Sequence, residues 1–107
     1  MISKNVKIVV FVPETHTGVV REAMGKAGAG IIGNYSFCTF SSKGVGRFKP
    51  GKSANPHIGN VGKPEEVVEE QIETICPREK LPNVIKAIKK VHPYEEVALD
   101  VYPLENI

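Results

Sequence analysis

A strand pattern followed by a helix pattern occurs twice in this chain, and nothing else in it constrains the fold as strongly. From Asn5 to Val12, the residues Val6, Ile8, Val10 and Val12 alternate with Lys7, Val9 and Phe11. This period of two is rich in β-branched residues and apolar on nearly both faces, as a central strand requires. Pro13 ends the strand, and Thr15 or Thr17 is placed to cap a helix. Val19, Val20, Ala23, Met24 and Ala27 then recur at helical spacing until glycines begin at Gly28. The pair returns in the second half. "EVVEEQIETICP" reads as a strand with Val68, Ile72, Thr74 and Cys76 on one face beside Glu70, closed by Pro77. Leu81, Val84, Ile85, Ile88 and Val91 then form an apolar stripe opposed by Lys86, Lys89 and Lys90, with Pro82 tolerated in the first helical turn. A further strand closes each half. "NYSFCTFSS" alternates Tyr35, Phe37 and Thr39 against Ser36, Cys38 and Phe40. "YEEVALDVYPL" alternates Glu95, Val97, Leu99 and Val101 against Glu96, Ala98, Asp100 and Tyr102.

The order β-α-β, long loop, β-α-β predicts an α+β, ferredoxin-like βαββαβ fold. It has a four-stranded antiparallel sheet, two helices on one face and a long loop between strands 2 and 3. At 107 residues the expectation is a single domain over 1–107. With 41% hydrophobic and 24% charged residues the composition is that of an ordinary globule rather than a disordered or fibrous chain. No run approaches the ~18 apolar residues of a membrane span, and the first residues lack an apolar signal region, so the expected location is cytoplasmic. Cys38 and Cys76 form no C-x-x-C and are expected to be reduced thiols.

The stretch "GAGIIG", Gly28 to Gly33, matches the G-x-G-x-x-G spacing by which many proteins hold a dinucleotide pyrophosphate. That device needs its glycines to follow a strand and open a helix, aiming free N–H groups at phosphate. Here they follow a helix and open a strand, so Gly28 and Gly30 read as residues of positive φ ending the helix, and Gly33 as a tight entry into the next strand. A literal G-x-x-x-x-G-K-S also runs from Gly46 to Ser53, but Pro56, Gly59 and Gly62 forbid the helix that a phosphate loop must open.

The loop "SKGVGRFKPGKSANPHIGNVGKPEE" is longer than small domains ordinarily tolerate without a function, so it is the first place to look for a site. No Asp or Glu lies between Glu22 and Glu65, while Lys26, Lys43, Arg47, Lys49, Lys52 and Lys63 do, and with no acid to neutralise them this segment is expected to meet an anion or an acidic partner. Arg47 is the favoured contact because its guanidinium grips phosphate or carboxylate bidentately, with Lys49 and Lys52 as less specific charges. Solvated lysines on a loop give the same pattern. A nucleic-acid reading rests only on these charges and on Tyr35, Phe37, Phe40 and Phe48, which core packing explains better.

"HPYEE" sets an imidazole, a phenol and two carboxylates within five residues, His92 to Glu96. His92 with Glu95 or Glu96 has the chemistry to bind a divalent metal or move a proton. The competing reading is structural: His92 caps the second helix, Pro93 ends it, and the carboxylates alternate along a strand. His16 and His57 add no compact metal spacing.

Together "GAGIIGNYSFCTFSSKGVGRFKPGKSANPHIG", "EEQIETICP" and "HPYEEVALDVYPL" resemble the PII-like, CutA-like domain inserted in the YqfO-type proteins, a family also labelled NGG-one-interacting factors and a second type of GTP cyclohydrolase I. The resemblance runs from Lys7 to Leu104, departing at Val97, where a Pro is expected, and at Leu99, where an aromatic is. It implies a ferredoxin-like fold that oligomerises through sheet edges, as a homotrimer or else a homodimer. The dinuclear metal site of that family comes from flanking domains absent from this sequence, so metal and hydrolase activity do not carry over and no cofactor is assigned. The expected function is a small oligomeric ligand-binding or regulatory module. Its candidate ligand-binding residues are Arg47, Lys49, Lys52, Asn55, His57, His92, Tyr94 and Glu95, and the partner is an anionic small molecule or a protein. The alternative is a metal-binding protein or enzyme with an intersubunit site around His92–Glu96.

Overall fold

A computed structural model describes residues 1–107. Its elements are β1 (Ile2–Pro13), α1 (Thr17–Lys26), β2 (Phe40–Phe48), β3 (Glu65–Pro77), α2 (Leu81–Val91) and β4 (Leu99–Glu105), with a short 3-10 turn before each helix. The sheet order is β2-β3-β1-β4, with every neighbouring pair antiparallel. This is the expected ferredoxin-like arrangement, and the apolar run of β1 lies between two neighbours as its two-sided pattern requires.

Alternation sorts the strand residues onto two faces. Val6, Ile8, Val10 and Val12 of β1 and Ile72 and Cys76 of β3 point to the same side. They pack with Val20 and Met24 of α1 and Val84 and Ile88 of α2 in a core of eleven buried residues. The opposite face of the sheet has no helix over it and carries Phe11 of β1 with Glu69 and Gln71 of β3.

Helix α1 stops as the glycines demand. Gly28 takes φ +107, its N–H bonds the Gly25 carbonyl, and the Ala29 N–H reaches back to the Met24 carbonyl. This paired closure satisfies two carbonyls left free at the helix end. Gly30 (φ +82) then docks the chain onto β3 through an N–H bond of 2.7 Å to the Ile75 carbonyl, and Gly33 is also left-handed. The N-terminus of α1 differs from expectation, because neither threonine caps it through its side chain. The Thr15 hydroxyl meets His16 Nδ1, and His16 lies in the 3-10 turn rather than in the helix. Val19 turns outward, leaving Val20 and Met24 as the buried stripe.

Two strands begin later than their alternation predicts. Residues 35–39 are not strand: Ile32 and Tyr35 form an isolated bridge, and Phe37 takes φ +58 to lie against Gly25. Tyr35 and Phe40 stay exposed, so their apolar alternation faces water instead of a core. β2 is instead "FSSKGVGRF", which pairs along its whole length with Glu65–Glu73 of β3. The segment read as loop is thus a strand from its first residues, because an edge strand held by backbone bonds to a long partner tolerates Gly44 and Gly46. β4 likewise starts at Leu99, because residues 93–98 are turned toward another task.

Candidate functional site

The segment between β2 and β3, residues 49–64, folds onto the helix-free face of the sheet. It is closed at its base by the Gly62 N–H to the Pro50 carbonyl (2.8 Å) and tightened by the Ala54 N–H to the Gly51 carbonyl. Residues 93–98 approach from the other side, and the two segments meet where the Asn55 N–H donates to Glu95 Oε1 at 2.9 Å. Between them and the sheet lies a cleft of about 400 Å³. Its walls are Phe11, Phe48, Pro50, Pro56, Ile58 and Tyr94, with Glu69 on its floor.

His92 supports this cleft from beneath. Buried at the C-terminus of α2, it donates from Nε2 to the Phe11 carbonyl (2.8 Å), and its Nδ1 accepts the Tyr94 N–H (3.1 Å). The Tyr94 N–H supplies only a donor, so Nδ1 is the bare nitrogen and Nε2 carries the proton. Burial pushes the His92 pKa below its ordinary value, against the opposing pull of the Phe11 carbonyl and Glu69. The ring thereby ties α2 to β1 and fixes the turn that aims Tyr94 into the cleft. It reaches a strand carbonyl rather than the last carbonyls of its own helix, the cap expected from the sequence.

The Tyr94 hydroxyl donates to Glu69 Oε2 at 2.8 Å, and burial together with that carboxylate pushes the phenol pKa well up. Glu69 is only 9% exposed and takes part in none of the chain's four ion pairs. Gly46 of β2 makes room for it, since a Cβ there would overlap the carboxylate. The glycine spaces the edge strand for an acid, not for a phosphate.

Of the residues singled out from the sequence, Arg47, Lys49, His57, Tyr94 and Glu95 line the cleft, and Asn55 bonds one of its walls. Lys52 lies exposed outside it, and His92 sits below it. Sequence reasoning missed Glu69 and Phe11, whose local pattern marks them only as strand residues, and it read Gly46 and Phe48 as loop residues, whereas they belong to β2 and help to form the cleft. The premise that nothing acidic neutralises the basic stretch is corrected. Arg47 lies in β2, not in a loop, and its Nε meets Glu66 Oε2 at 3.3 Å across the ladder. β3 brings five glutamates, Glu65, Glu66, Glu69, Glu70 and Glu73, alongside β2. His92–Glu96 does not form a metal set within one chain. Both His92 nitrogens are engaged, Glu95 holds a backbone N–H, and no three His, Cys, Asp or Glu side chains converge. His57 does bring its ring to 5.9 Å from that of His16 and 6.4 Å from that of Tyr94, and the His92 ring lies 4.9 Å from that of Tyr94.

A scan against models of known protein families finds no match. Among curated proteins, the chain is 59% identical over 100 residues to a GTP cyclohydrolase 1 type 2 homolog of Halalkalibacterium halodurans, covering 94% of this chain and 27% of that protein. Among solved structures, it superposes with TM-score 0.85 and 53% identity on a Bacillus cereus protein related to NIF3, covering 99% of this chain and 27% of the other. The chain thus spans about a quarter of the length of the relatives it matches. The same fold recurs at low identity in CutA from Archaeoglobus fulgidus (TM-score 0.69, 16% identity, 95% of this chain and 85% of the other). It recurs again in GlnK of Bacillus subtilis bound to ATP (0.63, 13%, 94% and 81%).

Proposed function

We propose that this chain, a PII-like, CutA-like domain homologous to one segment of the proteins named GTP cyclohydrolase 1 type 2 homolog, is a small oligomeric ligand-binding or regulatory module. The observation that carries this is the cleft on the helix-free face. Its volume lies in the range of small-molecule sites, its walls are largely apolar and aromatic, and a few polar groups converge in it. A loop latched by the single Asn55–Glu95 bond covers it, a closure weak enough to open for a ligand and to report its presence at the surface. Chemistry at His92–Glu96 is the weaker reading, because those groups already hold one another and the backbone. Self-association follows from the exposed outer edges of β2 and β4 and from the unburied side chains of Ile31, Ile32, Tyr35, Phe37 and Phe40, which a second copy would cover. Native mass spectrometry of freshly purified protein tests both parts, with the expected result a trimer or dimer that carries a small molecule. A monomer at micromolar concentration that neither retains nor takes up any small molecule refutes the reading.

A further inference from the structure

The Glu69 carboxylate is buried with half of its hydrogen-bonding capacity unused. Oε2 accepts the Tyr94 hydroxyl, whereas Oε1 has no partner within the chain and yet is not sealed from solvent. The residue stands on the floor of the cleft and, with Phe11 and Gly46, also lines a smaller cavity of about 280 Å³ on the same face. A carboxylate that keeps only a narrow opening to water is poorly compensated unless a cation or several donors meet it, and no ion pair of the chain includes this one. Arg47 and Lys49 at the mouth of the cleft and Lys43 at the smaller cavity are all exposed, none of them pairs with Glu69, and Arg47 is already engaged by Glu66. The mouth also carries Glu95 and Glu96, so its charges are mixed and give no preference for an anion.

We propose that the cleft takes a small organic amine with an apolar body, its ammonium group donating to Glu69 Oε1 and its body lying against Phe11, Phe48 and Tyr94. The aromatic walls suit this ligand twice, since they bury the hydrocarbon and attract a cation through their ring faces. Gly46 is then a selectivity element, because only a residue without a side chain leaves the carboxylate in place. The proposal rests on the cleft being the ligand site, and the experiment separates the two.

Isotope-labelled wild-type protein is titrated with 2-phenylethylamine, 2-phenylethanol and 3-phenylpropionate, following the backbone amide signals of residues 46–49, 54, 55, 57, 58, 69 and 94–96 by two-dimensional NMR. The amine is expected to bind at least ~10-fold more tightly than the alcohol, and the carboxylate most weakly, because a charge-assisted bond to a buried carboxylate is made by the amine alone. Glu69→Gln abolishes the preference, bringing the amine down to the affinity of the alcohol in the same variant. Gly46→Ala, which displaces the carboxylate but keeps its charge, reduces it. If the cleft amides respond but the alcohol or carboxylate binds as tightly as the amine, the ligand class is wrong and the cleft reading stands. If no probe moves those amides, both fall. The three wild-type titrations decide the matter even where a variant does not fold.

Discussion

Removing the Tyr94 hydroxyl should weaken the fold measurably, and the structure sets the size of the effect. Tyr94→Phe keeps the ring against Phe48 and His92 and deletes only the bond to Glu69 Oε2. A hydrogen bond to a charged acceptor is worth about 1.5–3 kcal/mol, and more when its loss strands a sealed carboxylate. Here Oε1 already opens to the cleft, so water can reach the group, and the lower end of that range applies, about 1.5 kcal/mol. For a domain of this size that moves a urea unfolding midpoint down by roughly 0.5–1 M. The pairing is isolated by a double-mutant cycle with Glu69→Leu, which removes the acceptor. Once Leu stands at position 69, the Phe substitution should cost little, giving a coupling energy of about 1 kcal/mol or more. A coupling below about 0.3 kcal/mol would mean that the hydroxyl and carboxylate do not hold each other in solution, and the floor of the cleft would lose its stated architecture.

The same contacts set two further outcomes. Because burial lowers the His92 pKa, the unfolded chain binds this proton more readily than the folded one, so stability is full above the unfolded value near ~6.5 and falls as pH drops below it. His92→Phe should be less stable at alkaline pH, where the bonds to Phe11 and Tyr94 are lost, yet its stability should decline less between about pH 7.5 and 5.5 than wild type's; equal slopes in urea titrations would refute this. Gly30→Ala forces a side chain into φ +82 and sets its Cβ 2.7 Å from the Cys38 backbone, so we expect a loss of about 2–4 kcal/mol and a melting temperature lower by more than ~10 °C, read by circular dichroism. A melting temperature within a few degrees of wild type would return the glycine-rich turn to a ligand-binding interpretation.

Much of this architecture is local, and local order is what a sequence displays. The stripe of α2 buries Val84 and Ile88 where its spacing puts them, the two-sided β1 lies between two partners, and Gly28 ends α1 with positive φ. Each depends on residues within a turn or two of one another, and the rejection of a dinucleotide site at Gly28–Gly33 needed only the order of helix and strand. The features that escaped depend on pairing across distance. β2 begins at Phe40 because β3 offers it a ladder, although residues 35–40 alternate more convincingly. Arg47 is neutralised by Glu66 across that ladder, so a charge count along the chain misjudged it. Glu69 meets Tyr94 from 25 residues away, and neither carries a local sign of the other. A loop and a turn remote in sequence close one cleft because an antiparallel register sets them at the same end of the sheet. Register is decided by the summed burial and hydrogen bonding of whole strands, which no single stretch of sequence contains.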